Sequence, residues 1–229
     1  MVSRLRSVIP EGLAPAEYVT KRQYAADRLR EMIVAGDLPA GSQVRQQTMA
    51  EQLGISATPV REAIWQLESE GYLESLAHVG FRVTQPHLDW FPEVLDLRLD
   101  LEGRLARIAA RVAEPGEADY LRTLNGQFRG AVQARDVRET RRLNFRLHKA
   151  VWGFARQPVT ETIVSSLWAK FPRTALDRLD QRGAQAAAEH QDLVDAITAG
   201  DPAGAEAAMR RHITAAHGHW RERVLEQQA

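Results

Sequence analysis

The amino-acid sequence predicts a mainly α chain in two unequal parts: a short helical unit closed by a β-hairpin, then a longer antiparallel bundle of helices. Three observations predict this. Apolar residues recur at helical spacing through most of the 229 positions, strand-like alternation is confined to residues 72–84, and the breaks between the later periodic runs are short. Short connections make successive helices antiparallel neighbours. A chain of this length can bury one large core or two modest ones.

After a polar leader containing Pro10 and Pro15, the residues Tyr24, Ala25, Leu29, Met32 and Ile33 share one helical face, which stops at Ala35-Gly36. The run from Gly36 to Gly41, with Asp37, Leu38 and Pro39, is turn chemistry. A short helix is expected from Gln46 to Leu53, ending at Gly54, and a second from about Thr58 with Pro59 in its first turn. In the second, Val60, Ala63, Ile64 and Leu67 form one apolar stripe and leave Arg61 on the opposite side. Two helices separated by Leu53-Gly54-Ile55-Ser56 make a helix-turn-helix. Strands at Tyr72–Leu76 and Phe81–Thr84, joined through Ala77-His78-Val79-Gly80, make its wing. A boundary near Pro86 separates this winged helix-turn-helix (residues 1–85) from an all-α domain (residues 88–229). Helices there are expected near Leu88–Val112, Glu117–Ala134, Asp136–Phe154, Val159–Leu179, Ala184–Ala199 and Pro202–Gln227. The breaks fall at Pro115-Gly116, Arg135-Asp136, Gln157-Pro158, Gly183 and Gly200-Asp201-Pro202, with a kink or split at Pro172.

Composition narrows the chemistry. The chain has no cysteine, which excludes disulfides, thiolate nucleophiles and Cys-based zinc sites and fits a reducing compartment. No run approaches the roughly 20 apolar residues of a membrane span, and Met1–Tyr18 lacks the apolar core of a signal peptide, so the chain is read as cytoplasmic. The formal net charge is +0, and residues 1–85 hold nine Lys or Arg against ten Asp or Glu. Polyanion binding therefore requires that Lys21, Arg22, Arg45 and Arg61 converge on one face while acids such as Glu68 and Glu70 face away.

The stretch Gly36–Thr84 resembles the GntR family of regulators. It carries that family's Gly-x-Leu-x-x-Gly turn (Gly36, Leu38, Gly41), its Ala-Glu-x-Leu-Gly-x-Ser segment (Ala50–Ser56) and its Pro-Val-Arg-Glu-Ala helix (Pro59–Ala63), closed by Glu70-Gly71 and Gly80. The resemblance implies a transcriptional regulator that binds double-stranded DNA at a palindromic operator, usually as a homodimer. It places Arg45, Ser56, Thr58, Arg61 and the Gly80 turn at the DNA. The physics agrees: a helix N-terminus directs N–H groups at phosphate, and a guanidinium grips phosphate or a guanine edge. Plainer roles compete, a surface ion pair with Glu62 or Glu68 for Arg61 and an N-cap for Ser56. The family commonly has Arg where this chain has Ala57, so its operator is its own. Trp65 lies off the apolar stripe, free to meet DNA, the other domain or a second subunit.

Residues Leu88–Arg223 resemble the FCD-type effector domain, on Arg98-x-x-x-Glu102, Asn144-x-x-x-His148, Glu189-His190 and Met209-x-x-His212. Asn144 and His148 are four apart and share a helix face. His190 and His212 stand ten and eleven residues from one helical turn, both about 15–17 Å from that hairpin end, and so meet at one level. Three imidazoles and an amide oxygen suit Zn²⁺, Ni²⁺ or Mn²⁺ with a position open for ligand; a lone His on a helix is more often a satisfied core or surface residue, as His78, His87, His217 and His219 are read. The family usually has Asp where this chain has Asn144. The amide brings no charge, leaving nearly the full +2 of a divalent ion, so either metal binding is weakened or an anionic effector completes the site. A small carboxylic acid fits, with Arg98 as a second anchor, unless Arg98 pairs within its helix with Glu102. A metalloenzyme is the rival reading, but Glu189 lies about 100° round the helix from His190 and no His-Glu-x-x-His occurs. A sensor domain that only dimerises is the third.

Overall fold

The computed structural model describes the backbone of residues 20–77, 80–171 and 179–228, and side chains over 20–77, 80–171 and 182–216. His78 and Pro172, the leader Met1–Tyr18 and the side chains of His217 and His219 lie outside the described residues.

Helix α1 (Lys21–Ala35) starts where Thr20 accepts a hydrogen bond from the Gln23 N–H at 3.1 Å and stops at Gly36, whose φ of 89° is left-handed; glycine adopts that cap without a Cβ penalty. Strand β1 (Gln43–Val44), α2 (Gln46–Leu53) and α3 (Ala57–Ser69) follow. The stripe Val60, Ala63, Ile64 and Leu67 is buried, packed in one core with Leu29 and Ile33 of α1. Strands β2 (Leu73–Leu76) and β3 (Gly80–Val83) complete an antiparallel sheet in the order β1-β3-β2, with Val44 opposite Phe81 and Leu73 opposite Val83. This is a winged helix-turn-helix.

The Arg30 guanidinium fixes α1 to the end of α3 through a two-pronged pair with Glu70, at 2.7 and 2.6 Å. Glu70 therefore faces inward, away from the exposed edge of α3. Burial alone would raise its carboxyl pKa; the hydrogen bond and charge of Arg30 outweigh that and leave it lowered. A depressed carboxyl contributes stability above its unfolded pKa and loses it as pH falls through the folded one. Glu70→Gln is expected to lower stability by about 1–3 kcal/mol at neutral pH. That deficit should shrink below the ordinary value of 4.5, because acid removes from the wild type what the substitution removes everywhere. Parallel thermal melts of both proteins into the acid range check it; a deficit independent of pH would assign Glu70 a purely steric role.

A 3₁₀ turn (Leu88–Trp90) leads into α4 (Phe91–Val112), followed by α5 (Pro115–Gln133), α6 (Val137–Phe154), α7 (Pro158–Lys170), α8 (Leu179–Thr198) and α9 (Pro202–Gln228). Helix α4 packs against α6, α7, α8 and α9, and α5 against α6 and α8. A capping box of Glu114 and Glu117 starts α5, and Asp136 caps α6. Among the described residues no strand follows Val83, and no helix is long and apolar enough to cross a membrane.

Several elements depart from the sequence reading. Strand β1 was not expected, because two residues carry no alternation. Helix α7 ends at Lys170, just before the kink or split expected at Pro172: Phe171 is extended, the conformation a residue before proline prefers. Gly183 is no break but lies inside α8; a Cβ there would stand 2.5 Å from Val132 Cγ1, so glycine serves the close approach of α5 and α8.

Candidate functional sites

The first site is the outer edge of α3. Ser56, Thr58, Arg61 and Trp65 are all exposed, as is Arg45 at the start of α2. Ser56 holds the N-cap position but makes no side-chain cap hydrogen bond, so its hydroxyl is not spent on the helix. The ion pair weighed for Arg61 is not formed: among the described residues no carboxylate lies within 4.0 Å of it, and its guanidinium stands over the Trp65 ring at 5.5 Å. Arg45 Nε donates to Gln43 Oε1 at 3.2 Å. Gly80 opens β3 with φ of 105° and open space around it, so its requirement is conformational. Lys21 and Arg22 are exposed at the start of α1. The N-terminus of α3 thus presents unsatisfied N–H groups, two hydroxyls and one uncommitted cation on a single edge.

The second site lies inside the bundle. His148 of α6, His190 of α8 and His212 of α9 are buried, and one possible ligand atom from each lies within 4.8 Å of the others. Ring centroids are 4.5 Å apart for His190 and His212, 5.1 Å for His148 and His212, and 6.1 Å for His148 and His190. Asn144, buried one turn before His148 on α6, shares that face.

Two of the three rings are held by carboxylates. His148 Nδ1 meets Glu102 Oε2 at 2.6 Å, and the Glu102 carboxylate also accepts from Trp152 Nε1 and Trp168 Nε1, both at 3.1 Å, and from Arg98 Nε at 2.7 Å. His212 Nδ1 meets Glu189 Oε2 at 2.9 Å, and Arg182 also binds Glu189. A carboxylate on Nδ1 fixes the proton there and leaves the Nε2 lone pair outward, as in metal-bound histidines. His190 differs: among the described residues neither of its ring nitrogens has a hydrogen-bond partner, although the ring is fully buried. An orphaned buried imidazole is costly and is what a missing ligand would satisfy.

Two of these rings, His190 and His212, are held below the ordinary histidine range. Burial first, then the charges of His212, His148 and Arg182, hold the His190 pKa well below the ordinary histidine value. Burial likewise lowers His212 to about 4, against the opposing hydrogen bond from Glu189. Burial would raise the Glu102 carboxyl, but Arg98 and His148 bring it down to about 2. The donor set is three imidazoles beside an amide, which fits a divalent Zn²⁺, Ni²⁺ or Mn²⁺.

Arg98 is buried and forms the intrahelical pair with Glu102, its guanidinium stacked over Trp168 at 4.3 Å and Phe171 at 4.5 Å. Sequence reasoning did not identify Glu102 and Glu189 as the groups that orient His148 and His212. The available signal was that buried ligating histidines require such partners. Nor did it single out Arg182, which is 5 % exposed and whose Nε has no partner among the described residues; it sits next to Gly183, where the sequence suggests a break.

Comparison with known proteins agrees with this geometry. Residues 21–83 match the family model for bacterial regulatory proteins of the gntR family, and residues 93–215 match the FCD domain. The chain is 33% identical over 202 residues to a protein of Paenarthrobacter nicotinovorans named a probable D-xylose utilization operon transcriptional repressor, covering 85% of this chain and 88% of that one. It is 24% identical over 159 residues to the HTH-type transcriptional regulator McbR of Escherichia coli, covering 69% and 72%. The solved structure of E. coli McbR/YncC superposes with a TM-score of 0.72 at 22% identity, over 92% of this chain and 99% of that one, a likeness of fold.

Proposed function

The chain belongs to the GntR family of bacterial regulatory proteins and carries an FCD domain behind its winged helix, and from this premise we propose that it is a DNA-binding transcriptional regulator whose operator affinity is set by a small anionic effector at a metal site among its histidines. The observation that carries the DNA reading is the uncommitted edge of α3, where Ser56, Thr58 and Arg61 face outward and, among the described residues, no carboxylate neutralises Arg61. Arg45 and the Gly80 turn flank that edge as phosphate contacts. Two copies of the chain would set two such edges on palindromic half-sites. Exposed Trp90, Leu97 and Val112 along the 3₁₀ turn and α4 support a homodimer, and the Paenarthrobacter relative's name supports a repressor. Such a protein works in the cytoplasm, where its duplex lies.

In the sensor, His148, His190 and His212 would hold the divalent ion, with Asn144 contributing an amide oxygen. The ion would supply a positive centre on which an acid group can settle. The protein supplies no spare negative charge: Glu102 is matched by Arg98, and Glu189 by Arg182. An anionic carboxylate effector restores the balance at the metal itself; Arg98, paired with Glu102 and stacked on Trp168, is not the free second anchor that the sequence suggested. Glu189, committed to His212 and Arg182, is not available as a general base, and the matched families are regulators, so no catalysis is proposed.

The test is binding to duplex from the chain's own upstream region across a salt series. Affinity should fall steeply with salt. Arg61→Ala should weaken binding by about 1–3 kcal/mol, roughly 5- to 150-fold, and flatten the salt slope by about one if the contact is phosphate. A flat salt series, or an Arg61→Ala protein that binds as the wild type does, overturns the reading.

A further inference from the structure

Helix α6 has two working faces. Asn144 and His148 point into the bundle, while Arg142 and Arg146, each two positions away and so about 200° round the helix, point at α1. Along that second face a row of cations meets a row of acceptors on α1 and the turn after it, running antiparallel. Lys149 binds Asp27. Arg146 binds Glu31 with both prongs, at 2.7 and 2.8 Å. Arg141 donates to the Ala35 carbonyl at 3.2 Å. Arg142 and Arg138 both reach Asp37, at 2.8 and 3.5 Å. The cations at 138, 142, 146 and 149 recur at helical spacing and form one stripe.

We propose that this stripe is an ionic clamp that fixes the orientation of the winged helix on the bundle, with Arg138, Arg142, Arg146 and Lys149 as positioning residues for DNA reading. The inference is carried by four successive turns of one sensor helix gripping the reader through matched charge. Beside the clamp a cleft of about 200 Å³, lined by residues that include Gln23, Arg30, Glu70, Lys149 and Glu161, opens between α1, α3, α6 and α7. The clamp lies at the edge of an apolar core that the winged helix and the bundle share, and adds a directional, matched-charge contact to it. The face of α6 opposite the clamp carries Asn144 and His148, so a shift of α6 at the histidine site moves the clamp as one rigid body. Glu31 is shared between Arg28 and Arg146, and because these pairs are part-buried, salt weakens them less than it weakens exposed pairs.

The chain has no cysteine, so paired spin labels can be placed by Gln52→Cys on α2 and Arg129→Cys on α5, both exposed positions, in doubly labelled full-length chain diluted into excess unlabelled chain. The wild type should give one narrow inter-label distance. Glu31→Arg and Arg146→Glu should each broaden or displace it, and the double swap should restore it. If a reversal prevents folding, Glu31→Gln and Arg146→Gln replace it, and the expected result is broadening at lower salt than the wild type needs. Single variants that keep the wild-type distribution, or a swap as broad as either single reversal, overturn the clamp. The consequence for duplex binding rests on the DNA-reading function proposed above, whereas the distance does not. Each reversal should weaken upstream duplex binding on the order of tenfold, with recovery in the swap. A wild type that binds no duplex sinks that function while the labels still decide the clamp; duplex affinity unchanged in variants with displaced labels overturns the positioning role.

Discussion

Glu102→Ala should be among the most destabilising single substitutions in the bundle, costing about 3–5 kcal/mol, on the order of 10 °C in melting temperature for a chain of this size. The reason is a convergence. One fully buried carboxylate accepts from Arg98, Trp152 and Trp168 and faces His148. Its removal leaves a buried guanidinium without a counter-charge and two indole N–H groups without acceptors. Most of the loss comes from the stranded cation, so Arg98→Met combined with Glu102→Leu should recover a large part of it. The double variant still lacks the group that orients His148, and divalent metal affinity should stay roughly 10- to 100-fold weaker than in the wild type. Thermal melts and a Zn²⁺ titration of the single and double variants separate the two effects. Equal destabilisation of both would show that packing around Glu102, rather than the unpaired Arg98, sets the cost.

His190→Leu carries the opposite sign in the metal-free protein. His190 is fully buried with both nitrogens unpartnered among the described residues, and its ring rests edge-on against Phe128 at 4.7 Å, so an apolar side chain suits the surroundings better. An unsatisfied buried polar group costs about 1–3 kcal/mol, and the metal-free variant should be more stable by up to that amount. It should also lose the stabilisation that Zn²⁺ gives the wild type, about 2.7 kcal/mol at a hundredfold excess over Kd. Melting with Zn²⁺ and with chelator, for both proteins, reads both parts at once. A variant that is less stable without metal, or that still gains from Zn²⁺, would remove His190 from the site.

The histidine cluster was legible in the sequence because helices translate spacing into height. Two residues nearly equidistant from one tight turn must face each other across the hairpin, and an i, i+4 pair must share a side. The carboxylates behind the rings were not legible as such. Glu189 adjoins His190 in sequence yet serves His212, because adjacent helical side chains diverge by about 100° and the choice of partner belongs to the neighbouring helix. The clamp escaped for the same reason. Arg138, Arg142, Arg146 and Lys149 are ordinary solvated-face residues in sequence, and only the placement of α1 gives them acids to meet. Gly183 illustrates the reverse error: a glycine suggests a break, but here it makes room for Val132.

Local chemistry, carried in the order of residues, settled which helices form, where most of them stop, and that a helix-turn-helix with a wing precedes a helical bundle. Periodicity, caps and turn residues act over a few positions and need no partner to be read. Tertiary packing alone decided which charges are matched and which polar atoms are stranded: Arg98 spent on Glu102, Arg61 left uncommitted, His190 without a partner. Those outcomes depend on distances between elements far apart in the chain, and electrostatic and desolvation energies are set by such distances.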